Sequence, residues 1–145
     1  MNQTLKTVNR KKVLLILEWC KKKFGKSKYW KDYPQLRVYR TNGWSIDGDK
    51  KGRFGHFIGG KISIFLGKHK TIMELCDTVI HEYKHYLLDE DEFLLEYKKL
   101  KKQGYSEKDA LTDKHPHENM AIEFANKWGH VCYNELKHEL HKRNC

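Results

Sequence analysis

The sequence predicts an α+β fold. A small antiparallel or mixed sheet of three to four strands is joined by an N-terminal helix, a central helix and a long C-terminal helix, in one domain over residues 1–145. Three observations carry this expectation. Apolar residues recur at three- and four-residue steps in three separate stretches, starting near Val13, Ile72 and Ala121. Between the first two stretches lie short alternating segments rich in β-branched and aromatic residues. Two of those segments flank Gly59-Gly60, a hairpin signature.

Taken in order, the first helix spans Asn9 to Phe24. Asn9 is its cap, and Val13, Ile16, Leu17, Cys20 and Phe24 are its buried stripe. Gly25 stops it, and Lys21-Lys22-Lys23 in the last turn complements the helix dipole. Residues Leu36 to Arg40 alternate as a strand. Asn42-Gly43 is a turn signal, Trp44 to Ile46 a short second strand, and Asp47 to Gly52 a polar turn without calcium-loop spacing. The hairpin arms are Arg53 to Ile58 and Lys61 to Leu66. In the second arm Ile62, Ile64 and Leu66 point one way, and Ser63 and Phe65 the other. The central helix covers Thr71 to Leu88, opened by a Thr71/Glu74 capping box. Acidic Asp89 to Glu92 follows it. Phe93 to Lys102 is a short helix ended by Gly104, and Ser106 caps a brief turn, so Asp89 to Lys114 reads as an insertion. Pro116 is the first residue of the last helix, which runs to about His141 on a stripe that includes Ala121, Ala125, Trp128 and Cys132. Gly129 inside it costs about 1 kcal/mol relative to Ala.

Composition narrows the function classes. Mean hydropathy is −0.85, low for a globular chain, yet the periodic clustering of apolar residues argues for folding over disorder. No apolar run approaches the roughly 18 residues of a membrane span. Val13 to Leu17 is too short for a signal-peptide core and is followed by Glu18. The expected location is the cytoplasm of a bacterial or phage-infected cell, with the virion as the alternative, and no membrane partner. Net charge is +10, which admits nucleic acid as a partner. Only five of the 29 basic residues are Arg, the lysines are spread along the whole chain, and no nucleic-acid motif accompanies them. Cys20, Cys76, Cys132 and Cys145 are far apart, and the first three fall on apolar helix faces as core residues.

The chemistry lies in the central helix. His81 and His85 are four residues apart, which stacks two imidazoles about 6 Å apart on one helix face, opposite the apolar stripe. Both can point at one Zn²⁺, and Glu82 beside them is placed to take a proton from a water that the metal activates. His-Glu-x-x-His on a helix is the signature of zinc metallopeptidases. Val79 and Ile80 stand just before it, and Lys84 is a charged residue where such helices usually carry an uncharged one.

A catalytic zinc needs three protein ligands and one open position. The candidates for the third are Glu118, His117 and His115. Glu118 is favoured, because it falls in the first turn of the last helix and small Ala121 and Ala125 would let that helix pack against the motif helix. His117 is alternatively an outer partner or an oxyanion donor, and His130 and Tyr133 are further auxiliary candidates for that donor.

The pair of motifs, His81-Glu82-x-x-His85 and then Glu118-x-x-Ala121-x-x-Phe124-Ala125, resembles the ImmA/IrrE-type gluzincins within the zincin metallopeptidases. Ile122 replaces the Asn usual in that second motif, and the resemblance covers about residues 53 to 128. It implies a compact zinc peptidase of a protein substrate, often a repressor or regulator in phage or mobile elements. It also implies an edge strand that borders the cleft and pairs with an extended substrate. The hairpin before the motif also resembles SprT-like zincins, which act on DNA-associated proteins and use a third His; here that would be His115 or His117. Two competing classes are a zincin-derived protein that keeps the metal as a staple, as in a phage-particle assembly, and a basic nucleic-acid adaptor.

Overall fold

A computed structural model describes residues 8–40 and 54–141, and within them the chain is α+β. Helix α1 (Arg10–Phe24) opens where Asn9 Oδ1 accepts from the Lys12 amide at 3.0 Å and closes at Gly25, whose φ of 76° is costly for other residues. The predicted stripe is buried from Val13 to Cys20. Trp19 joins it, and its Nε1 donates to Glu135 Oε1 at 2.8 Å on the last helix.

Three strands form one sheet in the order β1 (Gln35–Tyr39), β3 (Lys61–Phe65), β2 (Gly55–Ile58). β1 runs parallel to β3, with Leu36 opposite Ile62, and β2 runs antiparallel to it, with Phe57 opposite Ile62. β3 is therefore the central strand. Ile62, Ser63, Ile64 and Phe65 are all buried, so the alternation expected of this arm is present but both of its faces are covered. Gly59 and Gly60 take φ of 58° and 83°, the left-handed pair that a tight hairpin requires. Gly55 lies so close to β3 that a Cβ there would stand 2.7 Å from the Ser63 carbonyl oxygen. The predicted turn at Asn42-Gly43, strand Trp44 to Ile46 and loop Asp47 to Gly52, with Arg53, lie outside the described residues.

After a 3-10 turn (Leu66–Lys68), helix α2 (Ile72–Leu87) begins with the expected capping box. Thr71 Oγ1 accepts from the Glu74 amide and Glu74 Oε1 from the Thr71 amide, each at 3.1 Å. Sequence periodicity places one apolar side on this helix, but it is enclosed more fully than that. Thr78, Glu82 and Tyr86 are buried along with Leu75, Cys76, Val79, Ile80 and Tyr83. Tyr83 OH donates to the Gly25 carbonyl and Tyr86 OH to that of Asp32, which ties the connector after α1 to the centre of the molecule. Lys84, unusual in sequence, holds its Nζ 4.8 Å from the centre of the Phe124 ring, where a cation is attracted to the aromatic face.

Helix α3 (Glu90–Lys102) starts three residues before the predicted Phe93. Asp89 is its cap, accepting from the Asp91 amide at 3.0 Å, and Glu90, Asp91 and Glu92 form its first turn. The acidic run is thus the first turn of the helix, because carboxylates there offset the positive N-terminal end of the dipole. Helix α4 (Glu107–Leu111) is short and capped by Ser106. Helix α5 (Pro116–Leu140) has Pro116 at its first turn and makes its broadest packing with α2, through buried Ala121, Ala125 and Cys132. Gly129 has a specific reason to be there: a Cβ would sit 2.0 Å from Asp77 Oδ1 of α2. Cys20, Cys76 and Cys132 are buried free thiols on α1, α2 and α5, as the sequence suggested. Among the described residues no helix is long and apolar enough to cross a membrane.

Candidate metal centre and cleft

One turn apart on α2, the His81 and His85 rings lie 5.1 Å centre to centre. Their positions are fixed because the opposite side of α2 is locked into the core by Val79, Ile80 and Tyr83. Glu118 arrives from α5. Pro116 starts that helix, and the small side chains of Ala121 and Ala125 let its first turn come close to α2. His81 Nε2 donates to Glu118 Oε1 and Oε2 at 2.9 and 2.8 Å, and His85 Nε2 donates to Oε1 at 3.1 Å.

Burial works to raise the Glu118 pKa. The hydrogen bonds from His81 and His85 and their charge outweigh it and hold the carboxyl well below the usual carboxylate range. Glu118 is therefore ionised and accepts only. Those three side chains, with one ligand atom each and all within 4.8 Å of one another, form a group able to hold a metal ion.

Glu82, 4% exposed, sits beside this group and lines two depressions. One is a cleft of about 480 Å³ whose walls include His56 to Gly59 of the hairpin, His85 and Glu118. The other, of about 360 Å³, is bordered by Phe54, Gly55, Thr78 and His81. β2 thus runs along both depressions, with Glu82 between them. β2 is the edge strand on that side of the sheet, among the described residues.

The other candidates from the sequence stand elsewhere. His117 is buried and lines the larger cleft, but its Nε2 donates to Glu92 Oε1 at 3.0 Å, outside the donor group. His115 caps α5: its Nδ1 accepts from the His117 amide at 3.0 Å, and its Nε2 donates to the Phe93 carbonyl at 2.8 Å. Tyr133 OH pairs with His141 Nε2 at 2.7 Å, and exposed His130 lies within charge range of Asp77. Neither His130 nor Tyr133 lines either depression.

The segment read from sequence as an insertion is the far wall of the larger cleft. Phe93 stacks on His115 at 3.9 Å between ring centres and meets the His85 ring edge-on at 5.9 Å. Its place in the site was missed because Asp89 to Lys114 reads as an insertion between the two halves of the metal site. The signal available was an Asp cap and an acidic first turn immediately before Phe93-Leu94. His69 was missed as well. It is fully enclosed between β3 and α2, with Nδ1 donating to the Phe65 carbonyl at 2.9 Å and Nε2 standing 2.9 Å from Thr78 Oγ1.

Burial lowers the pKa of both His69 and His115 below 6.5. Each is neutral in the folded protein and must take up a proton on acidification, whereas the unfolded chain does so first. Their contribution to stability is complete above pH 6.5 and is lost as pH falls through the lowered folded values. Glu118, whose carboxyl pKa is also lowered, acts in the same direction from about pH 4.5 downward. Urea unfolding of the metal-free protein is expected to show a midpoint that drops between pH 7.5 and 5.5, and a flat or rising profile would contradict these placements.

Comparison with protein-family models, curated proteins and solved structures finds no match to this chain.

Proposed function

We propose that this chain is a zinc-dependent metallopeptidase of the gluzincin type, hydrolysing peptide bonds of a protein substrate. One juxtaposition carries the reading. A carboxylate, Glu82, lies between two depressions that share a sheet-edge strand, and beside it stand two imidazoles and a buried carboxylate able to hold a metal. The donor set fits zinc, since two nitrogens and one oxygen leave one of four tetrahedral positions open. Zinc held there supplies a Lewis acid for the scissile carbonyl and makes a water acidic enough to deprotonate near neutral pH.

The rest is the work of the chain's own residues. Glu82 takes the proton of the attacking water and delivers it to the amine nitrogen as the C–O bond forms and the C–N bond breaks. β2 orients an extended peptide by strand addition, so that its residues lie in both depressions and one bond lies at Glu82. His85 and Glu118 are held by the core and by the α5 packing, so the group needs little rearrangement. His117 positions α3 through Glu92 and is left out of the oxyanion role. His130 and Tyr133 are left out too, since both lie away from the two depressions.

The test is hydrolysis of unfolded casein by the zinc-supplied protein. Cleavage is expected to stop on chelation and to return with zinc. Cleavage that survives chelation, or none after zinc is supplied to folded protein, would overturn the proposal.

A further inference from the structure

We infer that the larger cleft selects an extended peptide carrying a large apolar side chain next to basic ones, on the Gly59 side of the bond at Glu82. The inference rests on the peptidase reading for the direction of the peptide along β2. Its content comes from the cleft wall.

Five large apolar side chains line that wall beyond the metal group. Phe57 and Ile58 come from β2, Phe93 and Leu94 from α3, and Leu111 from α4. Ile58 and Leu94 are 59% and 48% exposed, large apolar surface that an occupant would cover. About 480 Å³ is room for a large side chain and the backbone on either side of it.

The charge of the wall is the second observation. Apart from Glu82 and Glu118 it carries Asp89, Glu90 and Glu107, and among the described residues no Lys or Arg lines it. The three carboxylates accept from neutral donors. Asp89 takes the Asp91 amide, Glu90 the Gly59 amide at 3.1 Å, and Glu107 the Tyr97 hydroxyl at 3.0 Å. None of the three forms an ion pair with Lys or Arg among the described residues. The Gly59 to Glu90 bond also joins the hairpin tip to α3, so the negative charge is fixed at that end of the cleft.

A net charge of +10 pulls the other way and would draw anionic peptides. At physiological salt, exposed charges more than about 8 Å away are largely screened. The nearby carboxylates therefore decide which peptide stays, and the bulk charge does not. Charge complementarity and the apolar floor together identify the occupant as a basic, aromatic-containing peptide segment.

The experiment uses zinc-supplied Glu82→Gln protein, which keeps peptides intact, and fluorescein-labelled nine-residue peptides of Ala, Ser and Gly with a variable central triplet. Fluorescence anisotropy is expected to show the Arg-Phe-Arg triplet bound at least about tenfold tighter than Glu-Phe-Glu or Arg-Ala-Arg. The double variant Asp89→Asn/Glu107→Gln on the same background should narrow the Arg-over-Glu preference by about threefold or more, while Asn keeps the α3 cap. Glu-Phe-Glu bound as tightly or more tightly would overturn the basic preference. Arg-Ala-Arg bound equally would overturn the apolar one. A preference unchanged in the double variant would overturn its assignment to these carboxylates, and no binding of any peptide would overturn the whole inference. Incubation of the same peptides with the wild-type protein separates the two claims. Selective binding without cleavage leaves the cleft's selectivity standing and removes the peptidase reading.

Discussion

Replacing Glu82 with glutamine is expected to leave about one zinc per chain and to lower peptide hydrolysis by about 10²- to 10⁴-fold, the range that general acid–base catalysis supplies. The side chain is isosteric, and Glu82 is not one of the three residues in the metal-holding group. What the amide cannot do is accept and release the proton. Because Glu82 is buried beside that group and faces both depressions, no bulk-water route replaces it easily. The measurement is kcat with a fluorescent peptide substrate, paired with zinc content and a thermal unfolding profile of the same preparation. An unchanged kcat at normal zinc content would remove Glu82 from the reaction. A loss of zinc would instead show that Glu82 helps to hold the metal.

Glu118→Ala is expected to weaken zinc binding by more than the roughly 100-fold that loss of an outer partner costs, whereas His117→Ala is expected to remain within that range. The two residues are adjacent in sequence yet face different partners. Glu118 reaches both imidazoles of the α2 pair, and His117 reaches Glu92 on the cleft wall. The fold itself should survive Glu118→Ala, since Ala121, Ala125 and Cys132 carry the α2–α5 packing. Competition against a chromophoric chelator gives both affinities. The reverse order, with His117→Ala the more damaging, would move the third ligand to His117 and favour the SprT-like alternative.

Legibility in the sequence followed the range of the interaction. The capping box at Thr71, the Asn9 cap and the His81/His85 spacing are set within four residues, and the structure shows each of them. Glu118 was partly legible, because Pro116 marks the helix start and Ala121 and Ala125 mark a close packing face. The parallel pairing of β1 with β3 was not, because alternation gives a strand its two faces and says nothing about its neighbour. Nor was the wall role of α3, which depends on contacts from Phe93 to His115 and from Glu92 to His117 across more than twenty residues. Gly129 read as a tolerated cost, and only the approach of Asp77 from another helix explains it.

The central claim is that His81, His85 and Glu118 hold one zinc ion. It is tested most directly by the metal content of the folded wild-type protein after zinc is supplied and excess removed by dialysis. One zinc per chain, lost in His85→Ala and in Glu118→Ala, is the predicted result. A folded wild-type chain that retains no zinc, or variants that retain it fully, would contradict the account.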